Sequence, residues 1–281
     1  MKRSCPTSHS KRARAARFTW RLVRPLPFVL LHLMPSYLIA AFILFSAQPT
    51  VFAQATKSDK YVEAGIAAAS REWHGSDYAR AYQTLASGGV PLPKFSENEG
   101  ARLLQRMTAL ENFSFHRNRS IPLQTRFEDF LMLVQGANSV LKLYYAASVN
   151  RQEKLNKEMA RLAAFMLQAA ALEIELVDEL IPTIPKDDRY AARMDALRRM
   201  YFDLTTVFVG AETTLSERNY YSQADLSAIL DAMATTLPRF KKAFAQDYRI
   251  ELRKKLESHR TKFTDPEDTS KIDRMIQELE I

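Results

Sequence analysis

Four polar residues fall where a helical sequence should bury only carbon. At ~100° per residue, Glu111 shares a side with Leu104, Met107 and Leu110, and Asn138 with Val134, Ala137 and Leu141. Glu212 shares one with Phe208, Ala211 and Leu215, and Glu173 projects into the apolar side of the stretch 156–181. A carboxylate taken out of water is costly unless it is paired, hydrogen-bonded or bound to a metal. Acids from three helices, with an amide on a fourth, predict a carboxylate-lined metal site or a polar pocket for a small cation.

Dimetal helical bundles of the ferritin kind use Glu-x-x-His on two of their helices. This chain departs from that pattern: Ser114, Leu176 and Leu215 stand three residues after Glu111, Glu173 and Glu212. His116, five after Glu111, is off that face, so a redox dimetal centre is not expected. The alternatives are structural. Arg117, Arg119, Lys142 or Arg193 could pair with the acids, or Tyr144 and Tyr201 could bond them, in a network that fixes helix register. Drift of the helical phase could also turn some of them to solvent.

No Gly-x-Ser-x-Gly, His-Glu-x-x-His or glycine-rich phosphate loop is present, so no catalytic residue and no cofactor are expected. Of five histidines, His9 and His32 fall in the leader, leaving His74, His116 and His259. Trp73-His74 reads as a packing Trp beside an exposed His, and His259 as one of many polar residues on a solvated helix.

Arg239 to Lys262 is locally basic, and Lys241, Lys242, Arg249, Arg253, Lys254 and Lys255 are candidates for contact with membrane headgroups or an acidic partner. The alternative is a solvated face that balances the acidic stretch from Glu173 to Asp188. The overall charge of +8 does not argue for nucleic acid. Eight of the 40 Lys and Arg lie in residues 1–53, which have no acid, leaving 32 basic against 32 acidic residues in the body. The single cysteine, Cys5, leaves the body without disulfide or thiol chemistry.

The leader explains that asymmetry. A basic region precedes the apolar run Phe28 to Ala47, and Val51-Phe52-Ala53 and Ala53-Gln54-Ala55 offer small-residue cleavage sites. This is the order of an export signal cleaved near Ala53 to Ala55, giving a periplasmic or secreted protein. The alternative is an uncleaved inner-membrane anchor through 28–47, since ~20 apolar residues span a bilayer. Both place the body outside the cytoplasm, because the positive flank stays inside.

The elements that must position the candidates are helices. Period-two alternation is absent and glycine is only 7 of 281 residues, so the fold is predicted to be all-α: an antiparallel multi-helix bundle of about seven to eight helices after the export signal. The stretch 156–181 is apolar on nearly all sides except a stripe of Lys157, Arg161, Gln168, Glu175 and Glu179, as for a helix in the middle of a bundle. Long helices are expected from Ser96 to Phe115, Gln124 to Ser148 and Asp187 to Glu217. Ser222 with Asp225 predicts a capped helix ending near Leu237. Another should start at Pro238 with Phe240, Phe244, Tyr248, Leu252 and Leu256 in a row, and a last one should span Thr269 to Leu279.

Before these, Asp59 to Trp73 and Asp77 to Ser87 read as two helices around a His74-Gly75-Ser76 turn. Gly75-x-x-Tyr78-x-x-Ala81-x-x-x-Leu85 resembles half of a tetratricopeptide repeat, but no second copy follows, and such arrays need at least three. An isolated hairpin is therefore expected. The predicted organisation is a leader over 1–55, a hairpin and Pro/Gly connector over 56–93, and a bundle with a basic helix over 94–281. The function expected is non-enzymatic binding of a protein partner or small ligand.

Overall fold

The computed structural model describes residues 59–66, 72–151, 154–216 and 220–280. The predicted leader, with its 28–47 run and Ala53 and Ala55, lies outside them. Of the described residues 77% are helical, with no strand among them. The described residues all lie in one compact unit. In chain order the helices are α1 (Lys60–Glu63), α2 (Gly75–Ala86), α3 (Asn98–Met107), α4 (Ser114–Arg117), α5 (Leu123–Arg151), α6 (Asn156–Leu180), α7 (Tyr190–Ser216), α8 (Gln223–Phe240), α9 (Gln246–Arg260) and α10 (Pro266–Glu278). The architecture is an all-α multi-helix bundle.

Helix α6 divides the core in two because its sequence carries two apolar rows. Leu162, Phe165, Ala169, Leu172 and Leu176, at helical spacing, pack with Trp73, Tyr78, Leu104, Phe113, Phe130 and Tyr144 from α2 to α5 and their joints. Ala160, Ala164, Leu167, Ala171 and Ile174 form the second row, which packs with Phe208, Leu230, Met233, Phe240, Leu252 and Met275 from α7 to α10. Sixteen of its 25 residues are buried, too many for a one-sided surface helix. Burying each large side chain contributes roughly 1.5–3 kcal/mol, so losing either row would cost one whole layer. Pro182 cannot continue the helix, and the chain leaves it in a 3-10 turn over Ile181–Thr183.

On the first side, α2 lies directly along α5 at a distance that only glycine permits. A Cβ on Gly75 would meet Met132 Cβ at 2.5 Å, and one on Gly136 would meet Tyr78 Cβ at 2.6 Å. Gly75 is the first residue of α2 rather than part of a turn, and α2 packs in the first layer. Nor is the connector after α2 loose: Pro93 O accepts a 2.6 Å hydrogen bond from Tyr144 Oη. The expected capping box stands at α8, where Ser222 and Asp225 bond each other's backbone N–H.

Three predicted helices are cut short: the one expected over Asp59 to Trp73 ends at Glu63, ahead of Gly65 at φ 79°, and the other two breaks matter for the candidate residues. The helix expected to run to Phe115 ends at Met107. Thr108 Oγ1 bonds back to Leu104 O at 2.8 Å, and a 3-10 turn over Leu110–Phe113 follows. Buried Asn112 holds this joint: its Oδ1 accepts from Trp73 N at 2.9 Å, and its Nδ2 donates to Arg106 O at 2.8 Å and Tyr78 Oη at 2.9 Å. The helix expected to start at Pro238 is instead two. Pro238 sits in the last turn of α8, residues 241–245 turn the corner, and α9 starts at Gln246. The aromatic row survives the corner, with Phe240 and Phe244 stacked at 6.0 Å between centroids and Phe244 and Tyr248 edge-on at 4.8 Å.

Candidate functional site

The three acids do not meet. Glu111 lies on the 3-10 turn after Met107 and is exposed. The break at Thr108 shifts the helical phase that would have carried it inward, so its expected place in a core site is corrected. Asn138 is half-buried on α5. Glu173 and Glu212 are both buried, 5% and 3% exposed, but they belong to different places. Glu173 lies within electrostatic reach of Asp203 on α7, and Glu212 is nine residues further along the same helix, roughly 13 Å at 1.5 Å per residue. Among the described residues no group of three His, Cys, Asp or Glu could hold a metal ion. The expected carboxylate-lined cation site is not assembled.

Each buried acid has its own electrostatics. No hydrogen bond or ion pair from the described residues reaches the Glu173 carboxylate. Burial, with the charge of Asp203 adding to it, pushes its pKa up to about 7. Glu212 is the opposite case. Its Oε1 lies 3.0 Å from His259 Nε2, and its Oε2 accepts from Lys255 Nζ at 3.0 Å. Burial alone would raise its pKa, but the bonds and charges of His259 and Lys255 outweigh this and hold it below the ordinary carboxylate value.

His259 is therefore not solvated but 3% exposed. The sequence contained the signal: Leu252, Leu256 and His259 are four and three residues apart, one buried row of α9 that Phe263, four further on, continues past its end.

A second carboxylate–histidine pair lies in the other layer. His116 is fully buried between Phe115 and Phe130, its ring edge-on to both, and its Nε2 is 2.9 Å from Asp129 Oδ2. Asp129 also accepts from the Gly75 N–H at the start of α2, and His74 Nδ1 stands 3.6 Å away. Burial pushes Asp129 up, but these bonds and the two histidine charges bring it below its usual value. Beside it, buried Arg126 donates to His116 O at 2.9 Å and to Glu179 on α6 at 2.7 Å. Arg126 opens the buried row that continues through Phe130, Leu133, Ala137, Val140 and Tyr144 on α5. The His116 ring is at 0% exposure, and the Asp129 side chain is 16% exposed.

Compared with protein-family models, curated proteins and solved structures, the chain matches none.

The basic segment is divided by the corner at 241–245, and most of its cations are spent internally. Lys241 pairs with Glu278 at 3.2 Å, Arg253 with Glu257 at 3.2 Å, Lys255 with Glu212, and Arg260 with Asp273 at 3.1 Å. Arg239 pairs with Glu175 across to α6. Of the six residues expected to face an anionic surface, Lys242 and Lys254 are exposed and Arg249 is half-buried. These three have no ion pair within the described residues. Among those residues, no helix is long and apolar enough to cross a membrane.

Proposed function

We propose that this is an exported helical-bundle protein that acts by binding a protein partner or small ligand, not by catalysis. The observation that carries this reading is the use made of the buried charged groups. Asp129–His116 joins α5 to α4, Arg126–Glu179 joins α5 to α6, and Glu212–His259 joins α7 to α9. Lys271 of α10 reaches Asp231 of α8 at 2.8 Å. Apart from Glu173, these buried groups of the kind that perform acid–base or nucleophilic chemistry tie one helix to the next, a use that fixes register and needs no ligand. Contact with a partner falls to the surface, where Phe202 and Tyr220 are each 70% exposed. The basic leader, apolar run and Ala-x-Ala sites support export, with cleavage near Ala53 to Ala55 or anchoring by 28–47 as its two forms.

Expression of the full chain in a Gram-negative host, followed by fractionation, tests the address; a body recovered in the cytoplasm would overturn it. A panel of hydrolase and oxidase substrates tests the non-catalytic reading. Turnover that disappears in Glu173→Gln or His259→Gln, with the fold intact by circular dichroism, would refute it.

A further inference from the structure

The corner between α8 and α9 holds an open cleft of about 390 Å³ lined by Pro238, Lys241, Lys242, Phe244, Arg249 and Glu278. The local sequence builds it. Pro238 sits without an N–H in the last turn of α8, which ends at Phe240, and Phe244 turns inward to 6% exposure in the second core layer. That leaves Lys241 and Lys242 on the outside of the turn, beside the first turns of α9.

What distinguishes the cleft is an orphan cation. Arg249 is half-buried, and its Nε is enclosed with no hydrogen-bond partner. No hydrogen bond or ion pair joins its guanidinium to any described residue. The surrounding chain does not treat its arginines this way: Arg239, Arg253 and Arg260 each hold a carboxylate. The one acid in the cleft, Glu278, is taken by Lys241. A guanidinium partly removed from water and given no counter-charge is unfavourable. An anion in the cleft would relieve that cost.

We infer that this cleft binds a phosphate-type oxyanion, with Arg249 as the gripping group and Lys241 and Lys242 as flanking point charges. The planar guanidinium presents parallel N–H groups matched to the oxygens of a phosphate, and lysines add charge without directional demand. Three cations against Glu278 leave the cleft with two net positive charges. One phosphate, at about −1.5 to −2 near neutral pH, balances them. Free phosphate or a phosphomonoester meets that balance; the diester phosphate of a lipid headgroup offers the same oxygens to Arg249 with a single negative charge. The inference stands apart from the non-catalytic reading: a failure here leaves the helix ties untouched, and turnover elsewhere leaves the cleft untouched.

The test uses the full-length chain and two probes, inorganic phosphate and vesicles of phosphatidylcholine with or without phosphatidylglycerol. Phosphate is expected to bind saturably, read by calorimetric titration and by a rise in melting temperature, and to weaken with added chloride salt. Arg249→Gln should weaken that binding about tenfold or more, the worth of one charge-assisted contact. Lys254→Gln, on the exposed side of α9, should bind like the native chain. Lys242→Glu reverses an exposed charge without touching the core and should weaken binding similarly, which keeps the test open if Arg249→Gln does not fold. Co-sedimentation only with phosphatidylglycerol vesicles, lost in Arg249→Gln, would assign the lipid headgroup as source. Phosphate binding without vesicle binding would assign a soluble one. Binding of neither probe, or binding unchanged in Arg249→Gln and Lys242→Glu, overturns the inference.

Discussion

Glu173 should make the fold less stable as pH rises, and its replacement by glutamine should remove that dependence. Its carboxyl is 5% exposed, and burial, with Asp203 adding to it, lifts its pKa from 4.5 to about 7. An acid whose pKa is higher folded than unfolded binds its proton more tightly in the fold. Below pH 4.5 it is protonated in both states and costs nothing. As pH climbs from 4.5 through 7 the unfolded chain ionises first, and stability falls until both states are ionised. At about 1.4 kcal/mol per pH unit, the loss reaches about 3 kcal/mol above pH 7.

Glu173→Gln keeps the shape and never ionises. The variant should match the native chain near pH 4.5 and exceed it by about 3 kcal/mol at pH 8. Urea unfolding at 25 °C across pH 4.5–8.5 reads the difference directly. Melting curves at pH 8 should show the variant roughly 6–12 °C higher, at about 2–4 °C per kcal/mol for a body of this size. Parallel stability curves for the two proteins, or a variant less stable at pH 8, would refute the reasoning; the second outcome would mean that the ionised carboxylate has a cationic partner.

The other buried acid behaves in the opposite sense. Glu212→Leu should cost roughly 3–5 kcal/mol at pH 7 in urea unfolding, because it strands His259 and Lys255. Since the native carboxyl is held below its ordinary 4.5, the stability it contributes is present above that pH. The penalty should therefore shrink as pH falls through 4.5 and below. Gly136→Ala should cost about 1–3 kcal/mol, because its Cβ would lie 2.6 Å from Tyr78 Cβ and α2 would have to move off α5; unfolding within about 0.5 kcal/mol of native would contradict that packing. Phe202→Ser, at a side chain 70% exposed, should leave the unfolding free energy within about 0.5 kcal/mol.

The central place of α6 was legible because a continuous helix keeps its phase. The same arithmetic that made 156–181 central put Glu173 inside. It worked for Glu212 as well, through Phe208, Ala211 and Leu215. It failed at Glu111 because phase is lost wherever a helix stops. The stop at Met107 is held by Asn112 bonding to Trp73, 39 residues away in sequence, and no local pattern reveals that contact. The corner at 241–245 escaped notice for a related reason: Phe240, Phe244 and Tyr248 keep a four-residue spacing through a turn that is not helical. His259 was readable and was misplaced, and Arg126, not singled out from the sequence, was readable in the same way. Each belongs to a buried apolar row, and for His259 the polar type suggested solvent. That a buried histidine would find Glu212, 47 residues away, depends on how α7 meets α9, which periodicity within one helix does not encode.

The claim on which the functional reading turns is that the buried acids are separate devices, one an unpaired strain on α6 and the other a tie between α7 and α9. A double-mutant cycle between Glu173→Gln and Glu212→Gln, by urea unfolding at pH 7, tests it most directly. Separate sites predict effects that add to within about 0.5 kcal/mol. A coupling energy above about 1 kcal/mol would mean that the two carboxylates share one site, and the metal- or cation-binding bundle would have to be reinstated.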